Sequence, residues 1–182
     1  MDEINRGEIP KIFGELFFSI DPGYRGKEGK VQTQYANSIG DGDIFKDGFY
    51  VPDNVYIIGT MNDIDRSVES FDFAMRRRFT WKEITAKESQ RMFENKDWKD
   101  EAIKRMDSLN NAISKIEGLN SSYHIGAAYF LKLENNDYQQ LWNYHLKSLL
   151  FEYLRGMPDA ETKLEELENA YKLKTVSNEN NG

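Results

Sequence analysis

Two adjacent carboxylates, Asp2 and Glu3, stand at the start of the chain. A second polar cluster, Thr60, Asn62, Asp63, Asp65 and Arg66, follows the apolar run 55–59, and three arginines, Arg76 to Arg78, come next. Neighbouring acids have a use in phosphoryl transfer: one holds a hydrated Mg²⁺ while the other orients or deprotonates a water. Taken locally, Asp2-Glu3 also fits a helix start, where acids favour the positive end of the helix dipole. The arginines likewise fit a solvated helix end, with cations at the negative pole. A helix N-cap at Asp65 or Ser67 explains part of the middle cluster. It does not account for Asn62, Arg66 and Arg76 to Arg78 together.

The elements that must position these residues are legible in the apolar pattern. Val55-Tyr56-Ile57-Ile58-Gly59 is nearly continuous in apolar residues, the pattern of a parallel strand covered on both faces. In an open α/β sheet, ligands bind beyond the carboxyl ends of strands, where Thr60 to Arg66 would lie. A polar turn and a short helix are expected to lead from there to the arginines. Upstream, Ile9, Ile12, Phe13, Leu16, Phe17 and Ile20 recur at spacings of three and four, which predicts one amphipathic helix with Pro10 in its first turn. Between Asp21 and Pro52 glycine-rich turn signals dominate, and 31–35 and 48–51 could pair as a hairpin. Two apparent motifs in this loop fail. The glycines of 23–31 have the wrong spacing for a phosphate-binding loop, and Val31 replaces the magnesium-binding hydroxyl. The stretch from Asp41 starts like a calcium loop, but Phe45 and Lys46 stand where an oxygen ligand and a glycine are required.

From Ala86 onward the pattern is helical. Expected helices cover 87–94, 98–116 (stopped by Gly118), 125–133, 138–155 and 161–173. Their stripes include Met106, Leu109 and Ile113, then Leu141, Trp142, His145, Leu149 and Tyr153, then Leu164, Leu167 and Tyr171. Such stripes read as core. The Asn-rich tail 177–182 is expected to be disordered. The 182 residues are 30% charged and 13% aromatic, with a net charge of −7. That balance opposes intrinsic disorder and a surface that is basic throughout, though a local patch at Arg76 to Arg78 is compatible with it. There is no cysteine, hence no disulfide or thiolate chemistry, which fits a cytoplasmic protein. The histidines, His124 and His145, leave little material for a zinc site. No apolar run approaches the ~18 residues needed to span a bilayer.

Taken together and in order, the motifs resemble the second half of an AAA+ ATPase core, and closely the McrB family, the nucleotide-hydrolysing subunit of modification-dependent restriction systems. The family's patterns are D-E-I-N-R-G-N-I, I-G-T-M-N-T-A-D-R-S and A-L-R-R-R-F. This chain has DEINRGEI from Asp2, IGTMNDIDRS from Ile58 and AMRRRF from Ala74. The resemblance is strong over 1–83 and looser through 123–130 and 149–154, which look like the family's lid. It implies an α/β remnant of an AAA+ P-loop NTPase core over 1–85, an all-α helical lid over 86–176 and a tail over 177–182. It further implies Asp2 toward Mg²⁺, Glu3 as base, Asn62 as the sensor holding the attacking water, and Asp65 and Arg66 completing the nucleotide-site loop. Arg77 or Arg78 would be an arginine finger acting on a neighbour in a ring, expected to be a hexamer. The implied cofactor is Mg²⁺ with GTP or ATP. The implied partner is a McrC-like nuclease, with DNA engaged indirectly and no membrane.

The chain departs from the family at Asp63-Ile64 and Ala127-Ala128, so the effect of Asp63 near phosphates and the second sensor stay unassigned; His124 is a faint candidate for that sensor and reads rather as a surface or structural histidine. No Walker A pattern occurs in the sequence. The expectation is therefore a fragment, a truncated chain or split gene, inactive alone. A non-hydrolysing helical interaction module and a MoxR-type chaperone ATPase are the alternatives.

Overall fold

Short helices and turns carry the first part of the chain. In the computed structural model, which describes residues 1–62, 64 and 73–174, the chain divides into two units, Met1–Lys82 and Glu83–Gly182. In the first unit α1 (Ile9–Phe13) and α2 (Leu16–Ser19) replace the single helix expected over 9–20. The break is at Gly14, whose φ of 51° lies in the left-handed region that glycine enters without a Cβ penalty. Pro10 does occupy the first turn of α1. A small apolar cluster of Ile4, Ile9 and Met75, with Phe13, Phe17 and Phe79 packed against it, joins the N-terminal segment to α3 (Phe73–Arg76).

The strands expected of an α/β remnant are not seen: the described residues contain no strand. Tyr56 and Ile58 are 86% and 79% exposed where burial was expected. A parallel strand depends on neighbours at its edges and cover on its faces. Here the backbone of Ile58 and Thr60 is bonded to residues 1–4, and that single short pairing leaves both faces open. Residues 79–84 also lack sheet pairing. The hairpin contracts to one antiparallel bridge, Val31 to Phe49. A 3₁₀ turn at Ala36–Ser38 and Gly48, at φ 104°, turn the chain away on either side. The expected short helix after the polar turn falls largely outside the described residues; α3 precedes the arginines within them.

The second unit follows the apolar stripes more closely. Its helices are α4 (Ala86–Ser89), α5 (Lys99–Ile113), α6 (Ala127–Phe130), α7 (Tyr138–Leu141), α8 (Lys147–Leu154) and α9 (Ala160–Tyr171). Capping boxes start two of them: Thr85 with Glu88, and Asp137 with Gln140, each exchange side-chain and backbone hydrogen bonds. Met106, Leu109 and Ile113 of α5 are fully buried, and α9 packs against both α5 and α8. Trp142 stacks on Tyr171 with ring centroids 5.2 Å apart. The Arg105 guanidinium lies 4.3 Å over the Tyr138 ring. Asn110, buried on α5, donates to Ile125 O (3.0 Å) and accepts from Ile125 N (2.7 Å), so its amide completes the backbone bonds of the chain entering α6.

One stripe is displaced. His145, Leu149 and Tyr153 were expected on the buried face; they lie at its margin, and Leu146, Leu150 and Leu154 are the fully buried residues. The cause is a π turn, Trp142–Leu146, between α7 and α8. Steps of four drift by about 40° each on a straight α-helix. The wider π turn absorbs one such step and holds Trp142, Leu146, Leu150 and Leu154 on one face.

Leu150→Ala is therefore expected to cost about 2–5 kcal/mol in urea unfolding, whereas Leu149→Ala, at the margin, costs clearly less. His124 gives a pH test. Its Nε2 lies 2.7 Å from Ser114 Oγ, and burial lowers its pKa from the ordinary 6.5. The unfolded chain then takes up a proton below 6.5 while the folded histidine stays neutral. This contribution to stability is complete above 6.5 and is lost as pH falls from 6.5 toward the lowered folded value. Urea midpoints measured across about pH 5–8 should show that acid limb, and His124→Gln should flatten it.

Candidate functional site

The site begins with two segments far apart in sequence and joined by hydrogen bonds. Met1 N donates to Ile58 O (2.7 Å), and Thr60 N donates to Met1 O (2.9 Å). One residue bonded to both neighbours of Gly59 is the slanted pattern of a parallel pair. A regular continuation would place Glu3 N on Thr60 O. Instead Ile4 N takes that carbonyl (2.9 Å), and Glu3 N donates to Thr60 Oγ1 (3.2 Å). The slip of one residue coincides with Glu3 at φ 47°, ψ 52°. A left-handed non-glycine residue costs on the order of 1–3 kcal/mol and re-aims its side chain much as a β-bulge does.

Thr60 is the centre of this arrangement. Its hydroxyl accepts from Glu3 N and donates to the Asp2 carboxylate. Gly59 permits the approach: a Cβ there would lie 2.5 Å from Ile4 Cγ2. Asn5, on the 3₁₀ turn Ile4–Arg6, extends the contact by donating its Nδ2 to Asn62 O (3.1 Å). Asn62 Oδ1 in turn accepts from Ile64 N at 3.4 Å. Glu3 pairs with Arg6, Oε2 to Nε, at 2.9 Å. The segments that carry Asp2, Glu3 and Asn62 are thus held side by side. Asp65 and Arg66 lie outside the described residues.

The arginines diverge. Arg78 donates its Nε to Phe17 O (3.0 Å) and a second nitrogen to Ala74 O, and its guanidinium lies 4.0 Å over the Phe17 ring. It anchors α3 to α2. Arg77 is largely exposed, and among the described residues its side chain forms a long ion pair, 3.8 Å, with Asp21. Arg76 lies 5.8 Å over the Trp81 ring.

The donors present suit one kind of metal. The described residues contain no group of three or more His, Cys, Asp or Glu side chains able to hold an ion. Mg²⁺ binds through one or two carboxylates and takes its remaining oxygens from water and nucleotide phosphates. The Asp2 carboxylate, oriented by Thr60, fits that role. Among the residues that build the site, Thr60 and Asn5 have partners that sequence reasoning did not assign, although both lie inside the motifs it identified.

Gly59→Ala should force Ile4 aside and cost about 1–3 kcal/mol in urea unfolding. Gly40→Ala, where a Cβ meets nothing within 4 Å, is the control and should be near neutral.

Comparison with known proteins adds the family. Residues 101–161 match the McrB alpha-helical lid domain. Over 139 residues, 71% of the chain, the sequence is 34% identical to the EcoKMcrB subunit of the type IV methyl-directed restriction enzyme of Escherichia coli strain K12. The match covers 29% of that subunit, so the chain spans less than a third of the relative's length. With the acidic motif, the Gly59–Asn62 run and the helical lid in their order, this chain is a McrB-like protein.

Proposed function

We propose that residues 1–85 are the late part of an AAA+ nucleotide-hydrolysing core, residues 86–176 its helical lid, and 177–182 a tail. In the whole protein this core would be part of a McrB-like GTPase or ATPase motor in the cytoplasm. The motor would assemble as a ring, a hexamer, and would couple hydrolysis to DNA translocation and cleavage by a McrC-like nuclease. The observation that carries the proposal is the stitching of Asp2-Glu3 to Thr60 and Asn62 across 57 or 58 residues of chain. That supports the reading, because the residues proposed as metal-binding carboxylate, base and water-holding amide share one neighbourhood.

In this mechanism Asp2, held by Thr60, would bind Mg²⁺ that arrives with GTP or ATP; the ion supplies neutralisation of phosphate charge. Glu3 accepts the proton of the attacking water, and its re-aimed backbone sets the direction of its carboxylate. Its ion pair with Arg6 has to open, or share the carboxylate, for this to occur. Asn62 orients the water, and Asp65 and Arg66 complete the loop. Phosphoryl transfer depends on such positioning and on charge stabilisation. Arg77 is the better arginine finger because it is exposed and loosely held, while Arg78 is committed to Phe17 and Ala74 and positions it. A finger in trans contributes roughly 10³- to 10⁵-fold in rate.

The test is GTP and ATP hydrolysis by the full reading frame containing these residues. Glu3→Gln and Asn62→Ala should each lower turnover by about 100-fold or more. Arg77→Ala should do the same alone but recover in assemblies mixed with Glu3→Gln subunits, which supply the finger to an intact neighbouring site. Wild-type turnover in all three variants would sink the assignment. The 182-residue chain alone is expected to hydrolyse neither nucleotide.

A further inference from the structure

The acidic motif contains one polar residue whose role the proposed reaction leaves unassigned. Asn5 is 9% exposed, and its side chain is divided in function. Its Nδ2 donates to Asn62 O at 3.1 Å, while its Oδ1 is buried without a hydrogen-bond partner. A buried unpaired acceptor is destabilising, so an amide that only filled space here would be less stable than an apolar side chain of similar size. The backbone bonds between the two segments end at Thr60. Beyond that point, the Asn5 amide carries the pairing two residues further, to the peptide of Asn62.

We infer that Asn5 is a positioning residue for hydrolysis: it fixes the Asn62 peptide relative to Asp2 and Glu3, so that the water-orienting amide and the base approach the same water. This rests on the reading of Asn62 and Glu3 given above. Asn5 touches neither nucleotide nor water in this role and acts through Asn62. Its unpaired Oδ1 is the cost of burying this donor on the turn that also buries Ile4. A displacement of about 1 Å at a reacting group can lower the rate by about 100-fold, so the expected signature is a rate effect rather than a binding effect.

The experiment uses the full reading frame, with GTP and ATP as substrates. Asn5→Leu removes both the donor and the unpaired acceptor; Asn5→Asp keeps the shape and removes the donor. Turnover, KM, affinity for a non-hydrolysable nucleotide analogue and the thermal midpoint are measured for each. The expected result is a kcat lowered by about 10- to 100-fold, with KM and analogue affinity within about threefold of wild type. The midpoint of Asn5→Leu should be unchanged or raised. Wild-type kcat in a folded Asn5→Leu or Asn5→Asp protein overturns the inference. So does unfolding of both variants, or a loss confined to KM, since either makes the role structural or one of binding. Glu3→Gln and Asn62→Ala run alongside. If they retain turnover, the proposed site itself is wrong; if they lose it while Asn5→Leu does not, the positioning role alone fails.

Discussion

The first unit depends on the meeting of Thr60 with residues 2–4. Backbone pairing alone would have continued a regular parallel ladder past Gly59. The Thr60 hydroxyl accepts the Glu3 amide instead, and the Thr60 carbonyl passes to Ile4. That exchange holds Glu3 in a left-handed conformation, which a non-glycine residue occupies only when its surroundings determine it. The same hydroxyl donates to Asp2. One side chain therefore sets the backbone of one acid and the orientation of the other. Ile4, packed on Gly59 and beside Ile9 and Met75, supplies the apolar contact that keeps the arrangement closed.

Strain and burial have a consistent distribution in this unit. The left-handed Glu3 and the half-satisfied Asn5 amide both lie within the acidic motif DEINRGEI. Each is unfavourable on its own and unnecessary for packing. Backbone strain and unpaired buried groups concentrate where geometry serves chemistry, and their coincidence here agrees with the residue types in the motif. The arginines show the complementary case. Arg78 is held by carbonyls and an aromatic face, and Arg77, next to it, remains extended toward solvent.

The second unit has a different basis. Its core is continuous from Phe93 to Tyr171, and its buried amide side chains are bonded: Asn110 completes the backbone hydrogen bonds of Ile125, and Gln90 donates to the Asp107 carboxylate. The π turn at Trp142–Leu146 is its main irregularity. It converts a row of residues spaced by four into one buried face, and the Trp142 Nε1 on it has no hydrogen-bond partner among the described residues. The stacking of Trp142 on Tyr171 is the apolar return for that unpaired group.

The sequence by itself determined the order of the motifs, the helical character of the second half and the residue types available for chemistry. Periods of three and four act over a few residues and are legible without a fold, whereas the helix expected to run to 116 ends at Ile113, before Gly118. It did not determine the break of the first helix at Gly14, the π turn, or the fate of the apolar run before Thr60, which reads as a buried strand and is exposed. Nor could it separate Arg77 from Arg78, or assign Asn5 to Asn62. Those outcomes depend on partners far along the chain: Phe17 for Arg78, and Thr60 and Asn62 for residues 2–5. Such partners are chosen by the closing of the tertiary structure, where apolar contact and hydrogen-bond satisfaction over long separations outweigh local preference.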